Sequence, residues 1–206
     1  MSLLAVQGGA TGTGTVTLLA PSTSTNRTLT LPDATGTVLT SATTTGFPAG
    51  SVLQVVSTTK ADTSSFASAS FVDISGLSVT ITPTSTNSKM FVVVQLGLIS
   101  VEANLARTVA FRLMRNSTAI GVGDPAGSRM QSSCRVFSPA DSNHGPSTSF
   151  SVVDTPGGVA AITYKVQIAI QDANTAYINR TANDTDGAQV YQARAASSFT
   201  VMEIAA

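Results

Sequence analysis

The chain has 206 residues, 11% of them charged, and a formal net charge of zero. That length holds one ordinary domain plus an appendage, and the charged share is about half the usual one. Both points argue against nucleic acid as a partner, because a phosphate-binding surface needs clustered Lys and Arg to displace counterions. Here the basic residues are scattered, and only Lys60, Lys89 and Lys165 are lysines. Ser and Thr supply roughly a quarter of the chain, well above the globular norm. They take the solvent-facing role that Lys and Glu play elsewhere, and β-branched Thr suits the outer face of a strand. Cys134 is the single cysteine, so an internal disulfide framework is excluded and a reducing compartment is compatible with folding. Met1 to Ala10 lacks the basic start and the apolar length of a signal peptide. The longest apolar run, Met90 to Val101, is broken by Gln95 and Gly97 and falls short of the roughly 20 residues of a membrane span. No membrane insertion is expected.

From Gly12 to Thr45 the sequence is β-patterned but lean. Its apolar residues come in small groups, Val16 with Leu18 and Leu19, Leu29 with Leu31, and Val38 with Leu39. Gly, Pro, Asn and Asp separate them at turn-like positions. Thr-Gly-Thr-Val occurs at Thr13 to Val16 and again at Thr35 to Val38. Between them Leu29 and Leu31 face one way and Thr28 and Thr30 the other, the two-residue period of a strand. Pro32 ends that strand, and Asp33 to Gly36 reads as a turn. A segment so poor in apolar residues needs a disulfide, a metal or partner chains to become ordered. No Cys or His precedes residue 46, so the segment is either disordered or folds against copies of itself or another protein.

Residues 46–50 form a small-residue linker, marked by Gly46, Pro48 and Gly50. Beyond it the alternation implies about eight strands. Ser51 to Thr58 is one, and Leu77, Val79 and Ile81 form another that Pro83 stops. Met90 to Ile99 is almost wholly apolar, as a strand covered on both faces should be. Val109, Phe111 and Leu113 alternate with polar or small residues, and Tyr164 to Ile170 is the cleanest amphipathic strand. Phe150 to Val153, Ala176 to Asn179, Val190 to Ala193 and Phe199 to Ile204 complete the set. Glu102 to Arg115 and Gly187 to Ser198 also tolerate a helical reading, since Leu105, Val109 and Leu113 recur at four-residue spacing, but their neighbours are strands. Short strands between turn signals such as Asp124 to Gly127 and Pro156 to Gly158 indicate a sandwich or jelly roll.

Three stretches then resemble a known class. Gly14 to Pro21 with Asn26 to Leu39 resembles the N-terminal repeat of tail-fibre and other virion appendage proteins of tailed bacteriophages. Ile74 to Pro83 followed by Asn87 to Val94 is similar to the start of their C-terminal domain, and Ser198 to Ala205 to its end. The resemblance implies an all-β homotrimer. An extended β-rich stalk or anchor (1–45) would attach to other virion proteins, a tail adaptor or nozzle or the capsid. A jelly-roll-like β-sandwich head (51–206) would follow the linker. The function it implies is a short tail fibre mediating host attachment through a surface polysaccharide or protein. The alternative is a capsid decoration protein or head fibre of the same architecture. Either way the location would be the virion, assembled in the host bacterial cytoplasm. Only about ten residues precede Thr11, which leaves the attachment point open.

Residues that carry chemistry are sparse, and no enzyme is expected. His144 is the only histidine and sits in a turn-like loop, where it reads as a solvated residue rather than a catalytic base. No second His or Cys cluster forms a zinc set, and no nucleophile elbow surrounds any Ser. Cys134, beside Val136 and Phe137, reads as a small core filler. Gly121 to Gly127 lacks the spacing and the Lys of a phosphate loop. Asp184-Thr185-Asp186-Gly187 is favoured as a surface turn, with a weak ion site as the alternative, since Ala182 and Ala193 would occupy two calcium-ligand positions. Asn26, Asn116, Asn179 and Asn183 fit the glycosylation pattern but read as turn residues. Only Glu102 and Glu203 are glutamates, so paired carboxylates for glycosidase work are poorly supported. Glu203 is either a solvated edge carboxylate or a partner for Arg112 or Arg194 across a subunit interface. Tyr164, Tyr177 and Tyr191 are the only tyrosines and Trp is absent, which limits any aromatic stacking platform. No catalytic, cofactor or metal residue is assigned, no cofactor is expected, and the receptor-binding residues stay unassigned. Residues 1–45 expressed alone should be unstructured at low concentration; a folded far-ultraviolet circular dichroism spectrum from the isolated peptide would contradict this.

Overall fold

The computed structural model describes residues 47–102 and 105–206, together with residues 11, 13, 14, 22, 24–26 and 28. The chain divides into two units, Met1–Val38 and Leu39–Ala206. Nearly all of the expected stalk, 1–45, lies outside the described residues, as does Gly46 of the linker.

The described residues of the second unit form twelve strands: β1 (Val52–Lys60), β2 (Ser64–Phe66), β3 (Val72–Ile81), β4 (Lys89–Leu96), β5 (Ile99–Val101), β6 (Arg107–Arg115), β7 (Thr118–Ile120), β8 (Cys134–Ser138), β9 (Thr148–Asp154), β10 (Ile162–Ile170), β11 (Ala176–Ile178) and β12 (Ser197–Ile204). Two 3₁₀ turns, at Gln171–Ala173 and Val190–Gln192, are the only helical pieces among the described residues. The fold is all-β and its pairing is antiparallel. One sheet runs β1-β12-β4-β9. A second runs β3-β10-β6, with β7 and β8 sharing the far edge of β6, and a small third sheet runs β2-β11-β5.

Alternation decides which side chains enter the interior. Val92, Val94 and Leu96 on β4 and Phe199 and Val201 on β12 are fully buried, and so are Val109, Phe111 and Leu113 on β6 and Val166 and Ile168 on β10. These residues form one continuous apolar cluster with Ile74, Leu77 and Ile81 of β3 and Ile99, Val101, Ala176 and Ile178 of the small sheet. The two larger sheets thus share one interior, the arrangement of a β-sandwich.

Polar groups close the sandwich. Tyr164 on β10 is buried and its hydroxyl donates to Asp154 Oδ2 on β9 at 2.6 Å, while Arg115 Nη1 on β6 donates to Asp154 Oδ1 at 2.8 Å. This trio ties the edge of one sheet to the middle of the other. Burial, and then the adjacent Asp154 carboxylate, pushes the Tyr164 phenol far above its ordinary value, so it remains a donor at any physiological pH. A second knot centres on Asn179, which is buried and left-handed at φ 66°. Its Nδ2 donates to the carbonyls of Lys60 and Asp62, its Oδ1 accepts from Ser197 Oγ, and Ser197 Oγ accepts from the Gly97 amide. Glycine is required at 97, because a Cβ there would overlap the Ala196 carbonyl.

Two sequence expectations are corrected, and one alternative is closed. Val190 to Ala193 is a 3₁₀ turn and not a strand. The apolar run from Met90 is two strands, β4 and β5, split at Gly97 and Leu98. Glu102 to Arg115 carries a strand from Arg107, which removes the helical reading of that part. Replacing Tyr164 with Phe keeps the ring but strips one partner from a buried carboxylate oxygen. It should lower unfolding free energy by about 1–3 kcal/mol, read from urea unfolding midpoints.

Candidate functional site

The two large sheets turn opposite kinds of face outward. On β1-β12-β4-β9 the outward residues at one level are Val55, Met202, Phe91 and Val153, paired in that order across all four strands. Val55 and Val153 are 56% and 62% exposed, and Phe91 and Met202 are half-buried. The next level is Ser57, Thr200, Val93 and Ser151, and the one after it Thr59, Ser198, Gln95 and Ser149. On the other side Ile204 lies between Val52 and Lys89, and Lys89 is the only charge in these rows. This is the second face of the run expected to be covered on both sides. Met90, Val92, Val94 and Leu96 are inside, whereas Phe91 and Val93 face outward and are only half-buried.

The outer face of β3-β10-β6 is polar and internally bonded. Asp73, Gln167 and Arg112 pair in a row, with Gln167 donating to Asp73 at 2.7 Å and Arg112 Nη2 donating to Gln167 at 2.8 Å. Lys165 Nζ bonds Asp73 at 2.7 Å. That bond, more than the Gln167 bond, holds the Asp73 carboxyl below the usual range against a smaller opposing effect of burial. Thr80 and Thr163 share a hydroxyl hydrogen bond of 2.9 Å, and Arg112 stacks on Phe71 at 4.1 Å. One sheet therefore presents a face nearly free of charge with one apolar row across it, and the other a charged face whose polar groups bond one another.

The residues singled out in the sequence do not gather into a catalytic constellation. His144 is exposed, its Nδ1 2.8 Å from Asp141 Oδ2. Cys134 is half-buried on β8, packs against the core and lies 3.4 Å from Thr148 Oγ1. Asp184 is held by Arg194 through both oxygens, at 3.1 and 2.7 Å, so its carboxylate is already engaged. Among the described residues no group of three or more His, Cys, Asp or Glu could hold a metal ion. Gly121 and Gly127 are left-handed turn positions, as are Asn116 and Asn179, whereas Asn26 belongs to the first unit. Tyr164 is interior, Tyr177 is covered by Arg180 at 3.9 Å, and Tyr191 is 43% exposed on the second 3₁₀ turn, so the three form no shared platform. Among the described residues no helix is long and apolar enough to cross a membrane.

Glu203 is a correction. It points inward and is fully buried, so it is neither a solvated edge group nor a partner of Arg112 or Arg194. Its Oε2 accepts from Gln54 Nε2 on β1, and its Oε1 accepts from the Thr84 amide at 2.7 Å and the Thr84 hydroxyl at 2.8 Å. Alternation puts Glu203 on the face of Phe199 and Val201, which the structure shows to be the inner one; the Thr84 cradle comes from a loop that no strand pattern reveals.

Comparison of the sequence with protein-family models gives no match, and comparison with curated proteins gives none.

Burial acts to raise the Glu203 carboxyl and is outweighed together by the nearby buried Ser88 hydroxyl, then Gln54, then Thr84. The net effect holds it below its ordinary 4.5. A depressed folded value stabilises the fold above the unfolded value and loses that effect as pH falls through the folded one. Glu203→Gln should therefore unfold at lower urea than the parent at about pH 7, with the gap narrowing progressively as pH falls below the ordinary 4.5 of a glutamate. A gap independent of pH would remove the charge from the account.

Proposed function

We propose that the protein is a structural component of a phage particle, most simply a short homotrimeric tail fibre whose residues 51–206 form a host-attachment head. The observation that carries this reading is the contrast between the two outer sheet faces. A row of four apolar side chains across a sheet nearly free of charge is stable in water only when something covers it. A face without charge is complementary to another such face, and so to a copy of itself. Strands of this number and length span roughly 19 by 25 Å, which with side-chain relief approaches the ~800 Å² per partner of a stable contact.

Strand order supports the jelly-roll form of the head. Taking β1, β3, β4, β6, β8, β9, β10 and β12 as first to eighth, one sheet reads first-eighth-third-sixth and the other second-seventh-fourth-fifth. That is the order of two Greek keys wound into one sandwich. Attachment on this reading is contact alone, without catalysis: several weak sites held on one rigid head bind together with raised avidity. Placement on the tail or on the capsid would be separated by a cryo-electron map of the parent particle.

Light scattering should give the full chain about three times its monomer mass. Phe91→Glu, at a half-exposed position outside the core, should shift it to monomer while its circular dichroism spectrum stays that of a β protein. A parent protein that is monomeric at micromolar concentration would overturn the assembly.

A further inference from the structure

The polar outer face carries a cleft of about 410 Å³. In register across β8, β6 and β10 stand Arg135, Ala110 and Ala169, and Ala69 from the segment after β2 also lines the space. Three methyl-sized side chains leave a depression where the neighbouring rows carry Arg112 with Gln167, and Thr108 with Phe137. The wall at the β10 end is the 3₁₀ turn bearing Gln171 and Asp172. Asp172 and Ala173 there are both left-handed, at φ 59° and 54°, a strained pair that the surroundings must impose.

Arg135 sets the chemistry. Among the described residues every other arginine is engaged: Arg107 with Asn174, Arg112 with Gln167, Arg115 with Asp154, Arg129 with the Ala126 carbonyl, Arg180 and Arg194 with Asp184. Arg135 alone is exposed with no hydrogen bond or ion pair, and it lines both this cleft and an adjoining hollow against Phe137, which is 63% exposed. A free guanidinium at the rim of a cleft is a fork for a carboxylate. Across the floor Asp172 is 64% exposed, with one oxygen 3.6 Å from Arg107 Nε and 3.3 Å from Gln171 Nε2, and its other oxygen together with the remaining lone pair of Gln171 Oε1, which takes a long 3.4 Å bond from the Thr108 amide, are acceptors that suit hydroxyl donors. The methyl floor suits the C–H face of a ring.

We propose that this cleft binds an acidic saccharide, its carboxylate on Arg135 and its hydroxyls toward Gln171 and Asp172. The volume takes one or two sugar rings. A peptide carrying several carboxylates fits less well, because the group opposite Arg135 is the Asp172 carboxylate, whose charge is already matched by Arg107 and which accepts a hydroxyl but offers nothing to a second carboxylate. The proposal rests on the attachment reading, for which it names the ligand. On the proposed assembly this face points away from the subunit contacts.

The test is ligand-observed saturation-transfer NMR on the full chain, titrating methyl glucuronide, methyl glucoside and an acetylated di-glutamate peptide separately. Glucuronide should bind in the millimolar range, about tenfold tighter than glucoside. Arg135→Gln should abolish that difference, and Ala110→Leu, which fills the floor, should weaken both sugars. No transfer from glucuronide, an unchanged preference in Arg135→Gln, or tighter binding of the peptide would each overturn the site. Light scattering of the same samples keeps the two readings apart. A trimer indifferent to the sugar refutes the cleft alone, and a monomer that binds it refutes the assembly alone.

Discussion

An extended chain sends successive side chains to opposite faces, and every other property of this molecule follows from how that period is filled. The inward positions of β3, β4, β6, β10 and β12 are apolar almost without exception, and together they make one interior shared by two sheets. Because inward and outward sets are read from the same strands, a slip of one residue would exchange core for surface. The register is held at the sandwich ends by polar groups, not by charge pairs on the surface. Asp154 joins β9 to β6 and β10, Glu203 joins β12 to β1 and the loop after β3, and Asn179 gathers the ends of β1 and β4 with the start of β12. Each of these side chains is buried with its bonds made, the condition under which a polar group in a core specifies geometry.

The same residues explain how a chain with so few charges keeps its form. Surface ion pairs contribute little in any case, and here Ser and Thr occupy many outward strand positions. Their hydroxyls are neutral, short and β-compatible. A face built of them can be wet, as around Thr80 and Thr163, or can lie against another protein without desolvating a charge. Low charge leaves both uses open to one composition.

Much of the fold was legible. Leu77 to Ile81, Val109 to Leu113, Tyr164 to Ile170 and Phe199 to Ile204 show the alternation of half-buried strands and are strands. Val190 to Ala193 has β-compatible residues but no inward partner, and it closes as a 3₁₀ turn with no buried side chain. β2, β7 and β8 were missed because three to five residues are too few to establish a period, and β8 alternates Cys134 and Val136 with residues as unlike as Arg135 and Phe137. The run from Met90 was read as covered on both faces; the structure covers one, and the other becomes the most informative surface on the molecule. The Arg135 cleft had no sequence signal at all. Its floor is three alanines from three separate segments, and their meaning lies in register, which a single sequence does not display.

The two faces are consequences of one another. On the proposed assembly, copies cover the apolar residues outward on β1-β12-β4-β9, and covering them would turn the opposite sheet toward solvent on every subunit. That sheet already bonds its own polar groups: Lys165 and Gln167 to Asp73, Arg112 to Gln167 and Phe71. An exposed surface whose groups satisfy each other has little affinity for passing partners. The exception is the one place where side chains shrink to methyls and a guanidinium is left without a counterpart. A weak contact at such a point is of little use to a lone subunit. Repeated on each chain of the proposed assembly it would become a strong one, because second and third contacts would form at the effective concentration set by the first.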